Sequence, residues 1–328
     1  MSGGAERMHR YAFSFAAGPK RILLTTDEPL YADYFRWKTA LLPEGTGEPI
    51  RLSVERSDEA LAAAERYPGT VWRMQRTDDG AQELWLPPDG REQSGMALLR
   101  DPQTGDGRLL ISGAAEQRIL KLSVMPTGFL SILGRDVPFV HSACVADANG
   151  GVLIAGFPGK GKSTLVRECT EAGAYQVSDD MVCLRDGVAY AVESTIHLVP
   201  DPGIRVLPGK PFGADPGGDI KWHLDLSGDP GCFRAKAELR ALVLTAPREG
   251  PGPCTVVRES FRKFLMVAAA STIRVMGNLA PNTGSLHKEA DRLRHLPVYL
   301  VLRGTDPGEN AARIAEILKG DTTHVSDQ

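Results

Sequence analysis

The sequence predicts an α/β fold in two parts, and three observations carry that reading. An apolar run, Val152-Leu153-Ile154-Ala155, leads into a glycine-rich octet and then into a helical pattern, the strand–loop–helix order of an α/β core. Two further runs, Leu239-Arg240-Ala241-Leu242-Val243-Leu244 and Val298-Tyr299-Leu300-Val301-Leu302, have the length and composition of buried strands. Upstream of all three, short segments separated by Asp-Gly and Gly-rich turns describe a smaller mixed α/β region.

That smaller region is expected over residues 1–113. Tyr11, Phe13 and Phe15 alternate as on one face of a strand, and Arg21-Ile22-Leu23-Leu24-Thr25 reads as a second. Leu30, Tyr34, Trp37 and Leu41 then fall on one helical stripe after Asp27 as N-cap. Further strands are expected at 70–74, 83–86 and 108–112. Nothing in the region carries recognisable chemistry, so it is assigned to substrate capture or to assembly as a homo-oligomer. An apolar-periodic stretch at 114–130, broken by Pro126, leads into the larger part at 114–320, and 321–328 reads as a polar tail.

In the larger part, Val137-Pro138-Phe139-Val140 is expected to pair with residues 152–155 through the turn Asp147-Ala148-Asn149-Gly150-Gly151. The octet that follows, Gly156-Phe157-Pro158-Gly159-Lys160-Gly161-Lys162-Ser163, with Thr164 behind it, is a complete phosphate-binding loop. Its glycines let successive backbone N–H groups turn inward onto phosphate oxygens, where side chains would obstruct. Lys162 reaches the terminal phosphates, Ser163 offers a hydroxyl to Mg²⁺, and the next helix points its positive end at the anion. ATP and Mg²⁺ are therefore the implied cofactors. Leu165, Cys169 and Ala172 give that helix an apolar face, and Gly173 suits its C′ position.

Seventeen residues beyond Lys162, the segment Ala174-Tyr175-Gln176-Val177 runs into Ser178-Asp179-Asp180. Adjacent carboxylates at a strand end suit phosphoryl transfer to an alcohol: one shares the metal with Ser163 while its neighbour takes the hydroxyl proton. His141, at the end of the preceding strand, is placed to hydrogen-bond a carboxylate or a phosphate. Arg205, Lys210 and Lys221 are candidate cations for triphosphate or substrate. They are spread through a Gly/Pro-rich stretch whose part at 208–231 is expected to be a loop over the site. Phe261, Phe264, Leu265 and Ala268 mark a helix face, and Ile314, Ile317 and Leu318 mark a last helix closed by Gly320.

His141, the octet and Val177-Ser178-Asp179-Asp180 stand in the order and approximate spacing of the HPr kinase/phosphorylase family, which this chain resembles over about residues 115–320. More closely, it is similar to the shorter HPr-kinase-related proteins of biosynthetic clusters, including those that phosphorylate lasso-peptide precursors. The resemblance implies a P-loop kinase core similar to HPr kinase and phosphoenolpyruvate carboxykinase, acting on a serine of a peptide or small protein. It makes Asp179 the base, Asp180 the partner of Ser163 at the metal, and His141 the support of Asp179. Two departures, Phe157-Pro158 for the family's Asp-Ser and Pro200-Asp201-Pro202-Gly203 for its Glu-Ile-Arg-Gly, point away from HPr as acceptor and from the reverse, phosphorylase reaction. A kinase of small-molecule hydroxyls and a non-catalytic ATP sensor are the alternatives.

Composition bounds the rest. With 328 residues, 42% hydrophobic and 24% charged, the chain can bury a core of ordinary globular type. A net charge of −3 without a basic stripe argues against a nucleic-acid partner. The longest uncharged apolar stretch, seven residues at 264–270, is far too short to span a bilayer, so no membrane role is expected. Five cysteines without Cys-x-x-Cys spacing suggest reduced thiols and a cytoplasmic location.

Overall fold

The computed structural model describes residues 10–57, 73–76, 82–86, 96–101, 104–111, 138–198, 209–214, 220–226, 229–276, 283–321 and 323–326. Strands β1 (Tyr11–Ala17) and β2 (Lys20–Thr26) form a hairpin in full register. Gly18 turns it at φ 62, where an added side chain would strike Cys183 of the larger part. Helix α1 (Pro29–Lys38) carries the chain from β2 to the parallel strand β3 (Ile50–Arg56). With β4 (Arg73–Arg76), β5 (Gln82–Leu86), β6 (Met96–Arg100) and β7 (Gly107–Ile111), these build a seven-stranded sheet in the order β1-β2-β3-β7-β6-β5-β4. The sequence reading had no counterpart for β3 or β6. Asp27 does not cap α1: the N-cap is Glu28, and the Asp27 carboxylate accepts the Arg10 N–H.

The larger part begins with β8 (Phe139–Val140), β9 (Ser142–Ala146) and β10 (Gly151–Ala155). The hairpin partner of β10 is β9, with Ser142 opposite Ala155, and β8 pairs instead with β12 (Val182–Arg185). The Asp147–Gly150 turn is where it was expected, but the partner strand lies after His141 and not before it. Helix α2 (Lys162–Glu171) and strand β11 (Tyr175–Ser178) follow the loop, with Gly173 left-handed at φ 96 just past the helix. Then come β13 (Val188–Tyr190), β14 (Thr195–Leu198), β15 (Gly209–Ala214), β16 (Ile220–Asp225), β17 (Lys236–Pro247) and β18 (Thr255–Arg258). Helices α3 (Phe261–Met276) and α4 (Thr283–Leu293), strand β19 (Val298–Arg303), helix α5 (Pro307–Lys319) and strand β20 (Val325–Ser326) complete the order.

At the centre, β10 lies between antiparallel β9 and parallel β17, and β19 runs parallel on the far side of β17. Alternation sorts the side chains to two faces. Val152 and Ile154 of β10 pack with Leu165, Val166 and Cys169 of α2 and Ile314, Ile317 and Leu318 of α5. Leu153 and Ala155 pack with Phe264 and Ala268 of α3 and Leu293 of α4. A strand buried on both faces must read as a continuous apolar run, which is why 152–155 is legible as one. A third cluster joins the two parts, with Tyr31, Tyr34 and Phe35 of α1 packing with Phe139, Met181, Cys183 and Val192.

The expected boundary at 113 lies outside the described residues, as does the stretch at 114–130. The Gly/Pro-rich region is not all loop: β15 and β16 pair antiparallel and, with β14, make a three-stranded sheet. Among the described residues no helix is long and apolar enough to cross a membrane. All five cysteines are free thiols; Cys144, Cys169, Cys183 and Cys254 are buried, and burial pushes the Cys169 thiol up to about 12.

Candidate active site

The loop leaves β10 at Gly156, whose position is dictated by its neighbour: a Cβ there would lie 2.9 Å from the Thr245 carbonyl oxygen on β17. Gly159 and Gly161 take left-handed conformations, φ 75 and 88, and Gly161 is the N-cap of α2. Lys162 is the first helical residue, buried, with Nζ donating to the Gly156 carbonyl at 3.0 Å, so the lysine folds back across its own loop. Phe157 and Lys160 stand exposed at the tip, and the Lys160 N–H donates to the Phe157 carbonyl.

Arg303, at the end of β19, braces the loop from outside. Its Nη2 bonds the buried Glu168 Oε1 of α2 at 2.7 Å, and its Nη1 occupies the space that a side chain on Gly161 would need. Burial raises the Glu168 carboxyl above the usual carboxylate range, and the Arg303 bond opposes that rise. Gly161→Ala is therefore expected to cost about 1–3 kcal/mol, from the left-handed backbone and the displaced guanidinium, seen as a lower urea midpoint.

The two carboxylates are separated by backbone geometry. The Met181 N–H donates to the Asp179 carbonyl at 2.7 Å across Asp180, which has φ 64, the form of a three-residue γ-turn. Ser178 Oγ closes the turn by donating to the Met181 carbonyl at 2.6 Å. The side chains consequently diverge. Ser163 Oγ donates to Asp179 Oδ1 at 3.0 Å, while Asp180 Oδ1 faces His141 Nε2 at 3.1 Å. These contacts are exchanged relative to the sequence expectation, which put His141 with Asp179 and Ser163 with Asp180. The left-handed backbone of Asp180 itself is the reason, because it turns that residue out of the strand direction of β11.

His141 is held from α3. Its backbone N–H donates to Thr272 Oγ1 at 2.9 Å, and Nδ1 lies 2.6 Å from Ser271 Oγ. Ser271 Oγ donates its single hydrogen to the Gly156 carbonyl at 3.0 Å, so it can only accept from His141, which fixes a hydrogen on Nδ1. Nε2 and the Asp180 carboxylate are then two acceptors 3.1 Å apart, and their contact requires one further proton between them. The His141–Asp180 contact is thus wired through Ser271 to Gly156, the first residue of the loop.

His141, Gly156, Lys162, Ser163, Asp179 and Asp180 are brought together through these bonds, with Asp179 fully buried and the Asp180 side chain 23% exposed. Arg205 lies outside the described residues, and the backbones of Lys210 and Lys221 lie in β15 and β16. Among the described residues no group of three or more His, Cys, Asp or Glu could hold a metal ion. The Ser163–Asp179 oxygen pair is nevertheless the donor chemistry Mg²⁺ takes when phosphates and water complete its shell.

Sequence reading missed Ser271, Thr272 and Arg303. Ser271-Thr272 is legible in hindsight as a polar pair ending the apolar run of α3, whereas an arginine closing a strand carries no signal by itself.

No family model matches the chain, and none of the curated proteins compared with it matches. Among solved structures, the HPr(Ser) kinase/phosphatase from Coxiella burnetii aligns over 56% of this chain and 95% of that one, at 16% identity and a TM-score of 0.30. A superposition that loose carries no argument about function.

Proposed function

We propose that the chain is a kinase that uses ATP and Mg²⁺ to transfer the γ-phosphoryl group to a hydroxyl, a serine of a peptide or small protein being the acceptor the sequence resemblance favours. One observation carries the reading: a phosphate loop whose serine meets one acid of an Asp-Asp turn while a histidine wired to the same loop meets the other. The loop amides and Lys162 would orient the triphosphate. Ser163 and Asp179 would hold Mg²⁺, which supplies positive charge against the phosphate oxygens when bound.

Asp180, the more exposed acid, would align the acceptor hydroxyl and take its proton as oxygen bonds phosphorus and the bond to ADP breaks. His141 would hold the proton shared with that carboxylate, keeping the acid oriented. Apart from the base and the metal partner, the assignment keeps the roles expected of the loop. The chain is proposed to act in the cytoplasm on a peptide, including a ribosomal peptide precursor, with residues 1–113 as an accessory unit.

The test is incubation with γ-labelled ATP, Mg²⁺ and peptides carrying internal or C-terminal serines, read by mass spectrometry. A phosphoserine product is expected. A labelled low-molecular-weight product in cell extract would move the acceptor to a metabolite, and ATP binding without any product would leave a sensor.

A further inference from the structure

Lys38 ends α1 at a position that belongs to the core. Tyr31, Phe35 and Lys38 fall at i, i+4 and i+7 on the buried face of the helix, and Lys38 is only 1% exposed. It makes an ion pair with the equally buried Glu193, and its Nζ donates to Thr195 Oγ1 at 2.8 Å. Its carbonyl accepts the Ser194 N–H at 2.8 Å and the Ser194 hydroxyl at 3.0 Å. The last turn of α1 is thereby clamped to the segment between β13 and β14.

A buried ion pair rarely adds stability over well-packed apolar residues, so this one calls for another reason. The site supplies it. Thr195, which receives the Lys38 ammonium, gives its carbonyl to Gln176 Nε2 at 3.0 Å, and Gln176 lies on β11, the strand that delivers Asp179 and Asp180. Met181, next to Asp180, is buried in the same apolar cluster as Tyr31, Tyr34 and Phe35 of α1. Burial pushes the Lys38 ammonium below the ordinary lysine range, while Glu193, Asp180 and Asp179 each push it back up, so both site acids lie within its field. Asp179 is fully buried, so water does little to screen its charge.

We propose that Lys38, paired with Glu193, is a positioning residue for the Asp179–Asp180 turn: the N-terminal helix supplies the buried countercharge that holds the two acids in their places at the phosphate loop. This rests on the nucleotide reading above. It gives the accessory unit a part in positioning the site, through the last turn of α1.

The test compares the full chain with the Lys38→Met/Glu193→Gln double variant, in which neither charge is left unpaired. ATP affinity is measured by calorimetry with Mg²⁺ and with EDTA, alongside the thermal midpoint. The expected result is a metal-free affinity within about twofold of wild type and a Mg²⁺-dependent gain reduced about tenfold. A purely structural role would leave that gain intact in the folded variant. A gain equal to or above that of the wild type overturns the inference while leaving the nucleotide reading standing. Absence of Mg²⁺-dependent binding by the wild type overturns both. Should the double variant not fold, Lys38→Gln/Glu193→Gln, which retains hydrogen-bonding groups at both positions, is read by the same two criteria.

Discussion

Replacing Asp180 by asparagine is expected to slow phosphoryl transfer about 10²–10⁴-fold while leaving binding of ATP with Mg²⁺ within about twofold of wild type. The substitution is mild for the fold, because asparagine accepts the left-handed conformation that Asp180 adopts at φ 64, so the γ-turn and its Ser178 bond persist. What is lost is proton affinity. An amide can still donate to His141 Nε2, but it cannot take a proton from an acceptor hydroxyl, and the proton that the 3.1 Å contact requires has no second site. Single-turnover rates beside calorimetric affinity separate the two effects.

Lys162→Ala carries the other large effect, through the ground state and the transition state together. Lys162 is the loop's buried cation, held over the Gly156 carbonyl and so placed before any anion arrives. Charge-assisted bonds to phosphate contribute about 1.5–3 kcal/mol, so ATP affinity is expected to fall about 10–100-fold. Transfer should fall about a further 10²–10³-fold as charge on the phosphoryl oxygens goes uncompensated. The fold should survive, since α2 is fixed by Leu165, Val166 and Cys169 and not by its first residue. Unchanged affinity in calorimetry would remove the loop from phosphate binding.

These residues were legible to different degrees for physical reasons. The loop is a local structure: left-handed Gly159 and Gly161 set its turn and Lys162 starts α2, so the strand–loop–helix order was readable from consecutive residues. The strands at β10, β17 and β19 were legible because burial leaves apolar runs at 152–155, 241–244 and 298–302. Strand β3 was not, because Ile50–Arg56 mixes charges into a half-covered strand, and β6 at Met96–Arg100 was not read from the sequence either. His141 was found as a residue but not with its partner, since the partner depends on the φ of one aspartate. Ser271 lies 130 residues from His141, and no local pattern encodes that contact. Lys38 had a signal that went unread: a lysine on the stripe of Tyr31 and Phe35, where a core residue belongs.

The division of labour between the two acids is the central claim, and one calorimetric comparison tests it. ATP affinity is measured with Mg²⁺ and with EDTA for wild type, Asp179→Asn and Asp180→Asn. The account predicts that Asp179→Asn loses most of the Mg²⁺-dependent gain in affinity while Asp180→Asn keeps it, because Ser163 meets Asp179 and His141 meets Asp180. The reverse pattern, with the gain lost in Asp180→Asn and kept in Asp179→Asn, would contradict it.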